Sequence, residues 1–181
     1  MRTPKNYTQD SYSLEEILSS LRESFGEDVV KDVREHRAGK EQAVSFHQLW
    51  LTVPREKFLS LVEFLFGYDF LHFHVLSGND DGDVITLNYH FTLFRVAGRG
   101  KRLGVTVSVP VPKEDLVMPS LFDTIPGVEY SEREMREMLG VDFDGLQNKA
   151  LVFLPEDWDE SIKPWRRDET GPDVDDVRML S

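Results

Sequence analysis

Residues 84–96 read V-I-T-L-N-Y-H-F-T-L-F-R-V. Ile85, Leu87, Tyr89, Phe91 and Leu93 fall on one side of a period-two repeat, and Thr86, Asn88, His90 and Thr92 on the other. Such alternation marks a strand with one apolar face and one polar face. Strand candidates flank it. Phe70 to Ser77 carries H-F-H-V and ends at the turn G-N-D-D-G, Gly78 to Gly82. After the turn at Gly98 to Gly100, Leu103, Val105, Val107 and Val109 alternate with Gly104, Thr106 and Ser108. Together they predict a half-buried three-strand meander in an antiparallel sheet, with helices on its apolar face.

Towards the N-terminus the period changes. Ser13 stands three residues before Glu16, and Leu14, Ile17, Leu18 and Leu21 recur at helical spacing, so a capped helix is expected over Ser13 to Phe25, ended by Gly26. Val29 to Arg37 and Glu41 to Val53 read as two strands about Ala38-Gly39-Lys40. Pro54 opens a second helix with Phe58, Leu61, Val62 and Leu65 on one side and Gly67 as its stop. This order is α+β rather than repeating βαβ. A single domain is expected over residues 13–155, with a flexible arm at residues 1–12 and an extended C-terminal tail at 156–181.

Past Pro110 the pattern is irregular. Val111 to Met118 is expected to be an extended connector, and Pro119 to Thr124 a short helix. Ser131 to Gly140, S-E-R-E-M-R-E-M-L-G, is the clearest helix here. Ser131 and Glu134 have capping-box spacing, Glu132 and Arg136 stand at i,i+4, and Gly140 suits a left-handed exit. Met135, Met138 and Leu139 form a core-facing stripe. Phe143 to Asn148 reads as a loop, and Leu151 to Leu154 as a short apolar piece.

The 181-residue chain has a formal charge of −12 and a pI near 4.8. That balance disfavours nucleic acid, whose phosphates need a basic surface. With no cysteine, the chain has neither a disulfide framework nor a thiolate to hold an iron–sulfur cluster. No apolar run reaches the length of a membrane span, and the first ten residues lack the apolar stretch of a signal peptide. A cytosolic location is expected, or one on the cytosolic side of a larger assembly.

Catalytic patterns are sparse. The G-R-G at Gly98 to Gly100 lacks the spacing of a phosphate loop. Asn79 to Asp83 lacks the length and closing Glu of a calcium-binding hand and reads as a hairpin turn. His72, His74 and His90 form the best constellation. Three imidazoles on adjacent strands suit zinc, and the competing reading is a polar sheet face. A free-standing metal-binding or hydrolytic domain on that face is the alternative function. The first-turn acids Glu132 and Glu134 are read as dipole partners rather than an acid–base pair.

The helix and the tail carry a further pattern. Glu132-Arg133-Glu134, then Glu137, Met138, Leu139 and Gly140, precede Leu154-Pro155, Asp157-Trp158, and Pro164, Arg166, Arg167, Asp168. In order and approximate spacing this resembles the C-type (thirty-kilodalton) subunit of respiratory complex I and its counterpart in membrane-bound energy-converting hydrogenases. The resemblance covers roughly Tyr68 to Glu169. It departs where the family places basic residues, at Leu146 and Ala150 by ungapped count, with Lys149 one residue away; this marks a divergent member.

The resemblance implies an α+β subunit without a cofactor and with no active site of its own. It implies a place in a peripheral arm beside a large nickel–iron hydrogenase-like subunit and a small iron–sulfur subunit, where the chain braces and helps assemble the electron-transfer module. Glu132, Arg133, Glu134 and Arg136, with Trp158, Trp165, Arg166, Arg167 and Asp168, are expected to face the large subunit, through Arg–carboxylate pairs and Trp anchors.

Overall fold

A computed structural model describes residues 7–174 and residue 176. The fold is α+β, as the sequence predicts. The described residues form two compact units. The first runs up to Val75 and takes in Asn88–Val109; the second comprises Leu76–Leu87 and the described chain from Pro110 onward. The start of the expected arm (residues 1–6) and the end of the expected tail (175 and 177–181) lie outside the described residues.

Helix α1 (Leu14–Phe25) begins with the expected capping box: Ser13 Oγ accepts from the Glu16 N–H, and the Glu16 carboxylate accepts from the Ser13 N–H. Strands β1 (Val30–Ala38) and β2 (Val44–Thr52) form the expected antiparallel hairpin. Helix α2 (Arg55–Phe66) follows. Strands β3 (His72–Asp80), β4 (Val84–Leu93) and β5 (Leu103–Pro112) complete a sheet ordered β1-β2-β5-β4-β3. The β2–β5 pair is parallel, a pairing the meander pattern does not encode, because alternation reports faces and not strand direction. On β4 the alternation is borne out: every odd-numbered residue from Ile85 to Leu93 is buried.

In the first unit, Ile17, Leu21, Leu49, Leu51, Phe58, Leu61, Leu65 and Tyr89 belong to the core, with the Phe58 and Tyr89 rings 4.4 Å apart. The polar sheet face carries side-chain bonds between neighbouring strands. Gln48 donates to Thr106 Oγ1 (3.0 Å), and the Ser108 hydroxyl donates to Asn88 (2.6 Å). Residues of the expected arm are held here. Thr8 N–H donates to Asp69 Oδ1 (2.8 Å), and Tyr7 lies 4.7 Å from the Phe70 ring. The other Asp69 oxygen receives the buried N–H of Phe94, whose φ of 58° turns the chain out of β4.

The second unit departs from the sequence reading in three places. The end of the expected connector and the first residue of the expected short helix form strand β6 (Val117–Pro119), which pairs in parallel with β7 (Asp142–Asp144). No helix forms over Pro119 to Thr124: Pro119 ends β6 and residues 122–124 form a turn, with the Thr124 and Ile125 N–H groups both returning to the Leu121 carbonyl. Helix α3 starts at Glu129, two residues before the expected cap, because a 3₁₀ turn at Pro126–Val128 runs directly into it. Ser131 therefore lies inside the helix and the Ser131–Glu134 capping box does not form. The other end is as expected: Gly140 exits left-handed at φ 81°, ψ 13°.

Candidate functional site

The second unit gathers the charged helix and the W-R-R-D segment, and α3 holds the chain that follows it. Met135, Met138 and Leu139 are buried, as the stripe predicts. The polar residues face inward too. Glu132 is 0% exposed; its carboxylate accepts the Ser120 hydroxyl (2.5 Å) and the Leu121 N–H (2.8 Å). Burial pushes its pKa up to about 7, although both donors pull the other way. It is thus not the exposed dipole partner that its first-turn position suggests. Glu137, also buried, accepts the successive N–H groups of Val152 (2.7 Å), Phe153 (3.0 Å) and Leu154.

The arginines of α3 bind the same stretch of chain. Arg133 donates to the carbonyls of Ala150 (2.9 Å) and Leu151 (3.1 Å), and its guanidinium lies 5.2 Å from the Tyr130 ring centre. Arg136 donates to the Lys149 carbonyl and to Glu160, each at 3.1 Å. The expected Glu132–Arg136 pair is replaced, because Glu132 points inward while Arg136 meets Glu160 and, at 3.7 Å, Asp142. Lys149 donates to both Asp142 oxygens at 2.6 and 2.8 Å, holding that carboxyl below its ordinary pKa. Burial, with Glu137 nearby, raises the Glu134 pKa.

The tail returns to the C-terminus of α3. The Trp165 backbone N–H donates to the Met138 carbonyl (3.0 Å), and Arg166 Nη1 to the Leu139 carbonyl (3.2 Å). These are carbonyls that a helix end leaves without internal partners. Arg166 also binds Asp168 through Nη2 (2.5 Å), and Asp168 receives Lys113 Nζ at 2.6 Å. Lys113 reaches Asp80 Oδ1 at 2.7 Å, while Asp80 Oδ2 accepts the Arg167 N–H at 2.8 Å. The hydrogen bond from Arg166 holds the Asp168 carboxyl well below the carboxylate range against the effect of burial, with help from Lys113 and Thr170. Burial would raise Asp80, yet bonds from Lys113 and from the Arg167 and Gly82 N–H groups leave it lowered.

Of the residues assigned to an interface from sequence, Glu132, Arg133, Arg166 and Asp168 thus direct their polar atoms inside the chain. Trp158 is half-buried, its ring N–H donating to the Ile162 carbonyl (3.0 Å). Trp165, 45% exposed, and the exposed Arg167 face outward; Glu134 and Arg136 are half-buried. Sequence reasoning passed over Tyr130 and Phe153, 66% and 63% exposed. It also passed over Asp80, read only as a turn residue, and Lys113, for which no local pattern exists.

The three histidines belong to the first unit and do not converge. The His74 ring bonds Thr92 Oγ1 (2.7 Å), the His90 ring bonds Thr106 Oγ1 (3.2 Å), and His72 meets the Tyr7 hydroxyl and Arg95. Burial lowers all three pKa values, with further lowering by Arg95 and His74 at His72, by Arg95 at His74 and by His74 at His90. Among the described residues, no group of three or more His, Cys, Asp or Glu is placed to hold a metal ion. The polar-face reading fits this geometry, and the metal-site alternative is not favoured.

The family model described as respiratory-chain NADH dehydrogenase, 30 kDa subunit, matches residues 51–174, a span that includes α3 and the W-R-R-D segment. The chain belongs to that family. A similar protein is the membrane-bound hydrogenase subunit beta of Pyrococcus furiosus, 31% identical over 87% of this chain and 86% of that protein. The NAD(P)H-quinone oxidoreductase subunit J of Prochlorococcus marinus is 28% identical over 68% of this chain and 71% of its own length. Formate hydrogenlyase subunit 5 of Escherichia coli is 32% identical over 67% of this chain, which spans only 21% of that longer protein. Among solved structures, a chain of the membrane-bound sulfane sulfur reductase, an archaeal respiratory membrane complex, shares the fold of this 30 kDa family member. It has a TM-score of 0.58 and 21% identity over 83% of this chain and 81% of that one. A trypsin-resistant fragment of Nqo5 is similar, with a TM-score of 0.53 and 23% identity over 75% of this chain and 98% of the fragment.

Proposed function

We propose that this chain is a subunit of a complex I-like or membrane-bound hydrogenase-type assembly, where it braces the electron-transfer module and carries no redox group itself. Family membership supports the subunit role. The proposed neighbours are a large nickel–iron hydrogenase-like subunit and a small iron–sulfur subunit, at the cytosolic face of the membrane. One relative supports a close neighbour. In formate hydrogenlyase subunit 5 the matching region is 21% of the protein, so further chain is covalently attached to it. No helix among the described residues is long and apolar enough to cross a membrane, which suits a peripheral position.

One observation carries the docking assignment. The Trp165 side chain is 45% exposed although its backbone N–H is fixed to the Met138 carbonyl and the next residue is tied into the Asp80–Lys113–Asp168 cluster. An outward-facing Trp on a fixed backbone suits a buried interface position, because the main chain that presents it has little entropy left to lose on docking. In this reading Trp165 and Arg167 contact the large subunit, with Glu134, Arg136 and Trp158 beside them. Glu132, Arg133, Arg166 and Asp168 shape that surface from within.

Affinity capture of the native chain, with identification of its co-purifying subunits, tests the reading. Trp165→Ala with Arg167→Glu should reduce co-purification of the large subunit at least tenfold and leave the thermal midpoint of the isolated chain within a few degrees. Unchanged co-purification would remove Trp165 and Arg167 from the interface. Capture without any hydrogenase-like or complex I-like subunit would overturn the subunit role.

A further inference from the structure

The first unit has a surface that the docking reading does not use. Residues 95–102 read R-V-A-G-R-G-K-R, four cations and no acid in a chain of net charge −12. Arg95 is engaged with the His72 ring. Arg99, Lys101 and Arg102 are exposed and make no ion pair among the described residues. Unpaired like charges repel one another, so such a cluster on an acidic protein suits an anionic partner.

Arg99 and Arg102 stand beside a cavity of about 310 Å³ in the same unit, lined also by Val44, Phe46, Gln48 and Gly104. Gly104 sits inside β5, opposite Gln48 of β2. A Cβ at residue 104 would overlap Gln48 Oε1, so only glycine lets the Gln48 amide lie across the strand. Gln48 is held there by its bond to Thr106. The floor is thus fixed, one wall is apolar, and two guanidiniums stand at the side.

We infer that this cavity and the 95–102 loop dock an acidic peptide segment of a partner subunit, with a carboxylate on Arg99 and Arg102 and an apolar side chain against Val44 and Phe46. The size of the cavity and its apolar wall favour a peptide over a phospholipid headgroup, which needs charge and no such wall. The inference rests on the subunit role proposed above but concerns a different surface from Trp165.

Zero-length carbodiimide cross-linking of the purified complex tests it, because that reagent joins lysine only to a carboxylate in contact. Mass spectrometry should find Lys101 joined to Asp or Glu of another subunit, and in an Arg99→Lys variant the introduced amine should join the same segment. Arg102→Glu should lessen the Lys101 cross-link at least fivefold while lysines elsewhere on the chain react as before. If the complex is recovered intact but Lys101 joins only residues of its own chain, the inference fails and the subunit role stands. Binding of the isolated chain to phosphatidylglycerol vesicles, lost in Arg99→Glu with Arg102→Glu, would assign the surface to lipid and overturn the inference. Recovery of no complex would instead strike the subunit role.

Discussion

Lys113 Nζ lies 2.7 Å from Asp80 Oδ1, and the Asp80 side chain is 1% exposed. Arg166 and Asp168 complete the cluster, so residues far apart in sequence share one buried set of charges. Removing one member of such a set leaves its partner desolvated and uncompensated. Lys113→Met should therefore cost about 3–5 kcal/mol, read by urea unfolding, and should open the tail near Lys163 to proteolysis. Asp80 and Asp168 both have lowered pKa values, so their contribution is present above the unfolded-state value of 3.8 and is lost as the pH falls through the lowered ones. Lys113→Met should make the acid unfolding curve shallower. An unchanged urea midpoint would remove the cluster from the account of the tail.

Glu132 has the opposite sign. Its pKa is raised from 4.5 to about 7, so its contribution is fully present below pH 4.5 and is lost as the pH rises to about 7. The shift corresponds to roughly 3 kcal/mol. The difference in stability between the wild type and Glu132→Gln, followed from pH 4.5 to 8, should move in favour of the variant by up to that amount. Parallel profiles would mean that Glu132 is ionised throughout, held by Ser120 and Leu121.

Two glycines test the fit of α3 and the tail. A Cβ at Gly78 would lie 2.5 Å from Leu139 Cδ1 and 2.9 Å from Met135 Sδ, which are ends of side chains. Gly78→Ala should cost about 1–3 kcal/mol, and Met135→Ala in the same chain should recover part of it. At Gly171 a Cβ would meet the Arg166 carbonyl oxygen at 2.5 Å, and backbone yields less readily. Gly171→Ala should thus loosen the tail with no compensating side-chain variant. Thermal melts of the four proteins, with proteolysis of the tail, give both comparisons.

The histidine face should answer to pH rather than to zinc. His72, His74 and His90 have pKa values lowered from 6.5, so the unfolded chain takes up protons first on acidification. Their contribution is present above pH 6.5 and is lost as the pH falls through the lowered values. His74→Gln should flatten the decline in thermal midpoint below pH 6.5, and equimolar zinc should leave the wild-type midpoint where it was. A zinc-dependent rise lost in His74→Gln would restore the metal reading.

Much of the fold is legible in the sequence because its signals are local. The Ser13–Glu16 box, the alternation along β4 and the Gly140 exit each depend on residues a few positions apart, and each forms as read. The Ser131–Glu134 spacing has the same local form and fails, since the Pro126–Val128 turn extends the helix upstream. The family pattern was legible too, as a set of residue types in order. Its division of labour was not. Glu132, Arg133, Arg166 and Asp168 look like exposed charge in the chain, and their partners Leu121, Ala150, Lys113 and Asp80 become neighbours only on folding. Short-range periodicity, the Ser13–Glu16 cap and the Gly140 exit were thus determined by the sequence alone, because those interactions close within a turn or a strand. Which charges are buried, and which aromatic side chain is left facing outward, was decided by tertiary structure, because desolvation depends on what distant chain covers a residue.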